Sequence, residues 1–486
     1  MEKKNLGKLD IIILIFLLLI AFVFRLYHIT SPLSDSYSWR QADTAAVARN
    51  FVKDGFNLLE PRYDDLSSIQ SGKENPEGLR FVEFPLYNAM FGLLYAAFPY
   101  LALEVYGRLI SIVFSLILIC IIYILLFTEH SRTAAIIGAF IYGVFPAFVF
   151  FSRVVLPETT AVSFTFLSIL LLSLWQKQKK IHILRTLFFF SLMFFSIGIL
   201  IKPTVIFFGF ALLYIFVEKY RWSVVKKALP YLYFILSLLP FVLWRLYIQK
   251  SPEAIPSSEW LISSVNTFEG QKQIFMKPAF FRWILFERIN IMIFGGFLTG
   301  FFILGLFVKL KKLLLHSIIF SSIAYLFVFQ GGNVQHEYYQ TVILPAFAIF
   351  SAIGTSFFIQ NRKMFISPFL VYPIIIVLFI FSFMFSYYYK VKDFYTYPKD
   401  LNHMAKILKT FTKSSDKVIT DRLGDTTLLY LADRKGAPML YKTLEEFKEE
   451  GYAVYMTDKK EIIADLKEKK QYHILFENEQ FVLFKL

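Results

Sequence analysis

HITSPLSDSYSWRQADTAAVARNFVKDGFNLLEPRYDDLSSIQSGKENPEGLRFVEFPLY, residues 28–87, is the longest polar stretch in the first 250 residues of the chain. An apolar N-terminal run precedes it and an almost unbroken series of apolar segments follows it. A chain that only has to turn round at a membrane does not need so long a polar loop. Within it the motif Trp39-Arg40-Gln41-Ala42-Asp43, with Asp35 upstream and Glu83 near the end, mixes carboxylates, a guanidinium and an indole. We read the stretch as one wall of an active site at a membrane surface.

The rest of the composition agrees with a membrane setting. Of 486 residues, 57% are hydrophobic and 19% aromatic. Soluble domains cannot bury that much apolar surface, so much of it must face lipid. The single cysteine, Cys120, lies within an apolar run, which excludes an intrachain disulfide and a thiolate metal cage. The net charge of +15 would suggest nucleic acid in a soluble protein. Here the lysines and arginines sit mostly in short loops between apolar segments, so the charge is read as membrane orientation, with no nucleic-acid partner. The N-terminal run has a basic flank but no small-residue cleavage site, and is read as an uncleaved first span.

A bilayer core of about 30 Å needs roughly 20 apolar residues per helix. The expected spans are about 9–27, 107–127, 133–152, 159–175, 183–201, 203–218, 229–248, 289–308, 313–330, 341–359 and 365–388, eleven in all. The segment 84–103 is long enough to cross but has Pro85 and Pro99 near its ends. Charge decides its fate. If it does not cross, Lys3, Lys4, Lys8, Arg132, Lys177, Lys179, Lys180, Arg185, Lys219, Arg221, Lys226, Lys227, Lys309, Lys311, Lys312, Arg362 and Lys363 all fall on one side. Short basic loops face the cytoplasm. Segment 84–103 is therefore expected to lie in the outer interface as a juxtamembrane helix.

This parity places the N-terminus in the cytoplasm. It puts the loop 28–106, the turn 152–158, the turn 201–203, the loop 249–288, the loop 331–339 and the C-terminal tail outside the cytoplasmic (inner) membrane. The tail, from about 390, turns rich in Lys, Asp and Glu. It reads as a helix near 399–412, a strand near 417–420, a helix at 443–450, a strand at 452–456, a helix at 459–469 and strands near 472–476 and 480–485. The expected fold class is an α-helical polytopic membrane protein, residues 1–389, with a small extracytoplasmic α/β domain, 390–486. That domain has no Gly-rich phosphate loop between strand and helix.

Ionisable groups are costly inside a bilayer, so their places are informative. The middles of the spans are almost free of charge, whereas Asp35, Arg40, Asp43, Glu83, Arg153, Glu158, Lys202, His336 and Glu337 all fall at outer span ends or in outer loops. That converges on a site where a lipid headgroup meets water. Lys202 has almost no loop around it, since one span ends there and Pro203 opens the next. It is either a snorkelling anchor or a cation for a lipid phosphate. Arg153 could act the same way. Glu158 follows Pro157 at a span start, where the helix dipole also favours an acid. Ala42–Val52 reads as a helix with Asp43 at its start, where an N-capping acid is the structural alternative. Tyr338 and Tyr339 beside His336 also suit an interfacial aromatic belt.

Taken together, the long acidic first loop, the juxtamembrane EFPLYN, the turn RVVLPE, the lysine of IKP and HEYY followed by a proline resemble the C-type glycosyltransferases. These are the relatives of protein O-mannosyltransferases and of bacterial aminoarabinose and lipopolysaccharide-core sugar transferases. The resemblance covers about residues 1–390. It implies transfer of a sugar from a polyprenyl-phosphate carrier to a glycan, lipid or protein acceptor at the outer face. It further implies a catalytic carboxylate in the first loop, for which Asp43 and then Asp35 are the candidates. Glu158 matches the second outer acid, and Lys202 the phosphate-binding lysine. There are departures. The Asp-Glu pair that opens the family's loop helix is absent, with its acid falling near Arg40, and Phe84 stands where a lysine often precedes the juxtamembrane proline.

The chemistry needs a base for the acceptor hydroxyl and cations for charge developing on the phosphate. Asp43 or Asp35 is the expected base, and Lys202, with Arg40 or Arg153, holds the phosphate. Glu158 orients sugar or acceptor, while Gln41, Glu83, His336, Tyr338 and Tyr339 line the substrate site. One-step displacement inverts the anomeric carbon. No metal cofactor is expected, since the sequence offers no compact ligand set. A transporter or flippase is the rival reading, but it calls for mid-span polar groups or inverted repeats, and neither is seen. A ligase that moves a whole glycan and an assembly protein whose tail binds a partner are further alternatives.

Overall fold

The computed structural model describes residues 6–256, 274–364 and 367–486. Lys3, Lys4 and residues 257–273 of the expected loop 249–288 lie outside the described residues. The chain forms two compact units. The described residues of 1–29, 108–245 and 258–394 make the first, and those of 30–107, 246–257 and 395–486 the second. Where the sequence divides the chain near 390, the contacts group the first polar loop with the C-terminal segment.

Most helices of the chain correspond to the expected spans, but the expected spans 133–152 and 289–308 are each broken into two helices, and the second pair begins at Pro278, inside the expected outer loop. Leu103–Glu129, Glu158–Lys177, Ile181–Ile201, Pro203–Lys226, Ala228–Ile248 and the helix beginning at Val371 are each long and apolar enough to cross a membrane. Pro278–Ile293 and Leu298–Phe307 form a pair bent by 112°, which together pass the same test. The other expected spans are shorter or interrupted: Lys8–Arg25, Arg132–Val144 followed by Pro146–Phe151, Leu314–Val328 and Leu344–Gln360. The protein is a multi-pass helical membrane protein. Leu86–Ala97 is a helix of 12 residues. At 1.5 Å per residue it spans about 18 Å, too short for a bilayer core of about 30 Å.

The expected single span at 133–152 is broken between Val144 and Pro146. Proline has no N–H to return to the carbonyl four residues back. Here that carbonyl, of Tyr142, accepts from Arg25 Nη2 at 3.0 Å, and the Gly143 carbonyl accepts from Nη1 at 2.7 Å. Arg25 is fully buried, and its Nε also donates to Ser152 Oγ at 2.8 Å. The break is therefore capped by a side chain from the first helix. Elsewhere in this unit Leu298–Phe307 crosses Leu344–Gln360 at backbone contact. A Cβ on Gly354 would lie 1.9 Å from the Phe301 carbonyl oxygen. Small residues at such crossings let helices approach where no hydrophobic force between them exists in lipid.

The second unit holds a five-stranded sheet in the order β2-β1-β3-β5-β4. Its strands are β1 (Lys417–Ile419), β2 (Gly436–Ala437), β3 (Tyr452–Thr457), β4 (His473–Glu477) and β5 (Val482–Lys485). β1 runs parallel to β2 and β3, and β5 antiparallel to β3 and β4. The helices Lys399–Phe411, Leu444–Glu449 and Lys460–Lys469 fall where the sequence placed them. The short helix Thr427–Ala432 and β2 were not anticipated. Leu401, Leu408, Leu428, Val454 and Leu483 share one core of this sheet, and Ile419, Phe447, Tyr455 and Phe484 the other. The first loop extends the sheet, because Gly436 N–H donates to the Asp64 carbonyl at 2.9 Å and Leu66 N–H to the Gly436 carbonyl at 2.8 Å. Only glycine fits there, since a Cβ would lie 1.8 Å from the Val418 carbonyl oxygen.

Candidate active site

In the first unit the structure brings together Glu158, Lys202, His336, Tyr338 and Tyr339. Glu158 opens the helix Glu158–Lys177, and Lys202 caps the helix Ile181–Ile201 just before Pro203 starts a tighter turn. Their ends meet. Lys202 Nζ lies 2.7 Å from Glu158 Oε1, with both side chains almost fully buried. A pair of that kind persists only because each charge neutralises the other. Glu158 Oε2 is buried and has no hydrogen-bond partner among the described residues. The Lys202 ammonium also lies 5.5 Å from the centre of the Tyr339 ring. The Tyr338 and Tyr339 rings pack at a tilt, 4.4 Å between centres, and His336 stacks on Tyr338 at 5.4 Å.

The loop that carries these rings is held by Arg288. Its Nη1 donates to the Asn333 carbonyl and its Nη2 to the Val334 carbonyl at 2.5 Å, and Glu337 lies 3.4 Å away. Tyr325 Oη donates to the Tyr339 carbonyl at 3.2 Å. Arg153, expected to bind phosphate, is fully buried, donates to the His28 carbonyl at 3.3 Å and lies over the Phe150 ring.

In the second unit the helix Ser38–Asp54 begins four residues before the expected start. Asp43 is thus a turn inside the helix, not its cap. Asp43 and Arg40 are three apart, on one face. Arg40 pairs with Glu83. Gln41 Nε2 donates to Asp35 Oδ1 at 2.7 Å and to the Ser36 carbonyl at 2.9 Å. Asp43 is 1% exposed. Thr426 Oγ1 donates to its Oδ1 at 2.6 Å, and Arg80 Nη2 lies 2.8 Å from its Oδ2. Burial raises the Asp43 carboxyl above the ordinary carboxylate range, against the opposing pull of Arg80 and Thr426. Arg80 also lies over the Tyr63 ring at 4.7 Å. Beside it Asp65 is fully buried, its Oδ1 accepting from Ser67 N–H at 2.8 Å and Ser67 Oγ at 2.6 Å.

Sequence reasoning missed Arg80, Asp65, Thr426 and Arg288. The first three belong to polar segments in which charged and hydroxyl residues are common and none stands out. Arg288 carried a signal, since it is an ionisable residue at the very start of an apolar run. Among the described residues no three His, Cys, Asp or Glu side chains come together to hold a metal ion.

Many apolar helices, a polar first loop and a small C-terminal sheet give the fold of the C-type membrane glycosyltransferases. The motif resemblance and the fold agree. Residues 85–246 match the model of the dolichyl-phosphate-mannose-protein mannosyltransferase family. The chain is similar to ArnT from Cupriavidus metallidurans bound to undecaprenyl phosphate, with a TM-score of 0.67 and 11% identity over 97% of both chains. It is also similar to the oligosaccharyltransferase AglB from Archaeoglobus fulgidus in complex with an inhibitory peptide and a dolichol-phosphate. There the TM-score is 0.59 at 11% identity, over 93% of this chain and 70% of that one. At such identity the likeness establishes the fold. No curated protein matches the chain by sequence.

Proposed function

We propose that the protein transfers a sugar from a polyprenyl-phosphate-linked donor to an acceptor hydroxyl at the outer face of the cytoplasmic membrane. The observation that carries this reading is the buried Lys202–Glu158 pair, where two spans end, with one carboxylate oxygen lacking a hydrogen-bond partner. A buried ammonium at such a depth suits a lipid phosphate, and the orphaned Glu158 oxygen suits a sugar hydroxyl, which would supply the missing donor. The solved relatives that hold undecaprenyl phosphate and dolichol-phosphate support the same ligand class.

In this reading Asp43 accepts the acceptor's proton. The acceptor oxygen forms its bond to the anomeric carbon, and the bond from that carbon to the phosphate oxygen breaks. The electron pair leaves on the polyprenyl phosphate, where Lys202 stabilises it. One displacement inverts the anomeric centre. Asp43 takes this role in our reading, and burial makes its carboxyl a better proton acceptor than an ordinary one. Thr426 and Arg80 occupy two of its lone-pair sites, and a carboxylate has about four. Burial also keeps water from competing with the acceptor, which a transferase must prevent.

Removing Lys202 alone would strand Glu158 in a buried site, so the test removes both charges. The double variant Lys202→Gln, Glu158→Gln is expected to fold, to lose the thermal stabilisation that added undecaprenyl phosphate confers on the wild type, and to lose transfer by about 100-fold or more. Equal stabilisation of both proteins by the lipid phosphate would refute the assignment.

A further inference from the structure

In the reaction as proposed, the C-terminal segment enters only through the Thr426 hydroxyl on Asp43. Residues 420–426 leave β1 and lead into the helix Thr427–Ala432. The loop is anchored at its start by the buried Asp421. Tyr455 Oη donates to its Oδ2 at 2.8 Å, Thr457 Oγ1 to the same oxygen at 3.1 Å, and Lys459 Nζ to Oδ1 at 2.8 Å. Asp421 and Leu423 both hold positive φ, +37° and +54°, which aspartate tolerates but leucine adopts only where the surroundings enforce it. At the far end of the loop Thr426 is 2% exposed. The next helix is tied to Ser38–Asp54 by Arg49, which donates to the Tyr430 carbonyl at 2.7 Å and pairs with Asp433 at 3.1 Å and with Asp64. The backbone bridge at Gly436 closes the same connection from the other side.

We propose that Thr426, carried by the C-terminal segment, is a positioning residue for Asp43, so that this segment is part of the reacting site and not an appendage to it. The proposal rests on the reading above, in which Asp43 is the base. The Thr426 hydroxyl has a single proton, and its contact of 2.6 Å to Asp43 Oδ1 is much closer than its 3.3 Å to the Trp39 carbonyl. A hydroxyl donor steadies the ionised carboxylate, and with Arg80 on the opposite oxygen it fixes the plane of the group. The other charged or titratable groups that face Asp43 are Arg40 on its own helix, Tyr63 and Asp65 in the first loop, and Asp425 in the C-terminal segment.

The experiment is the pH profile of kcat/KM in proteoliposomes, over a panel of undecaprenyl-phosphate-linked sugars, for wild type, Thr426→Val, Thr426→Ser and Asp43→Asn. Valine keeps the shape and removes the donor. Its acid limb is expected to move up by about one pH unit, with donor KM within about twofold of wild type, because Asp43 then holds its proton to higher pH. Serine, which keeps the hydroxyl, is expected to restore the wild-type limb, and a merely structural threonine would not give that pattern. A valine variant with the wild-type limb, alongside an inactive Asp43→Asn, overturns the role of Thr426. An active Asp43→Asn, or a wild type inert toward the whole panel, overturns the reading of the base or of the reaction, and the inference falls with it.

Discussion

Asp65 is the residue whose environment has the plainest consequence for stability. Burial raises its carboxyl from 3.8 to about 7, opposed by the two bonds from Ser67 and reinforced by the nearby Asp43 carboxylate. A carboxyl that holds its proton more tightly when folded than when unfolded favours the fold while it is protonated. That contribution is complete below the unfolded value of 3.8 and is lost as pH rises through about 7. The loss amounts to at most about 1.4 kcal/mol per pH unit. Asp65→Asn is neutral throughout and is expected to flatten the fall in thermal midpoint across that interval, measured on purified protein. A variant with the wild-type slope would show that another group carries it. Asp65 also shows where sequence reading stops at this scale. Lys202 and Glu158 stood out because a bilayer penalises charge, so a cation with no loop around it needs a reason. Asp65 lies in PRYDDLSS, where charge is cheap on the surface and only folding buries it.

Elements were legible in proportion to their length. The spans and the longer helices and strands of the tail repeat an apolar pattern often enough to be read. The six-residue helix Thr427–Ala432 and the two-residue β2 do not. β2 pairs with β1, and Gly436 also bonds to Asp64 and Leu66, hundreds of positions earlier, a partner that no local pattern encodes. The break at Pro146 has a similar origin, since its remedy comes from Arg25 in another helix. Arg25→Met is expected to lower stability by about 1–3 kcal/mol, because it leaves the Tyr142 and Gly143 carbonyls without their donor. In a Pro146→Ala background the restored N–H can serve Tyr142, so the same change should cost less. Unfolding in detergent across the four proteins of this cycle measures the difference. Additive costs would mean that Arg25 does not cap the break.

At the scale of the whole molecule, the expected orientation rests on one parity argument. It turns on whether 84–103 crosses, and the helix found there, Leu86–Ala97, has only 12 residues. With that segment not crossing, the expected spans put the basic loops on one side and the first polar loop on the other. The second unit adds a constraint that the sequence did not offer. Residues 30–107 and the C-terminal segment pack as one compact body, so both must lie on the same side of the membrane. The expected outcome is therefore a pattern of three. In a Cys120→Ser background, single cysteines at the exposed positions Lys73, in the first loop, and Glu468, in the tail, should both react with a membrane-impermeant maleimide added to intact cells. A cysteine at the exposed Lys179, in a basic turn, should react only after the membrane is opened. Labelling of Lys179→Cys from outside would invert the arrangement. Labelling of only one of the other two would be more damaging, because it would place on opposite sides two segments that share a sheet.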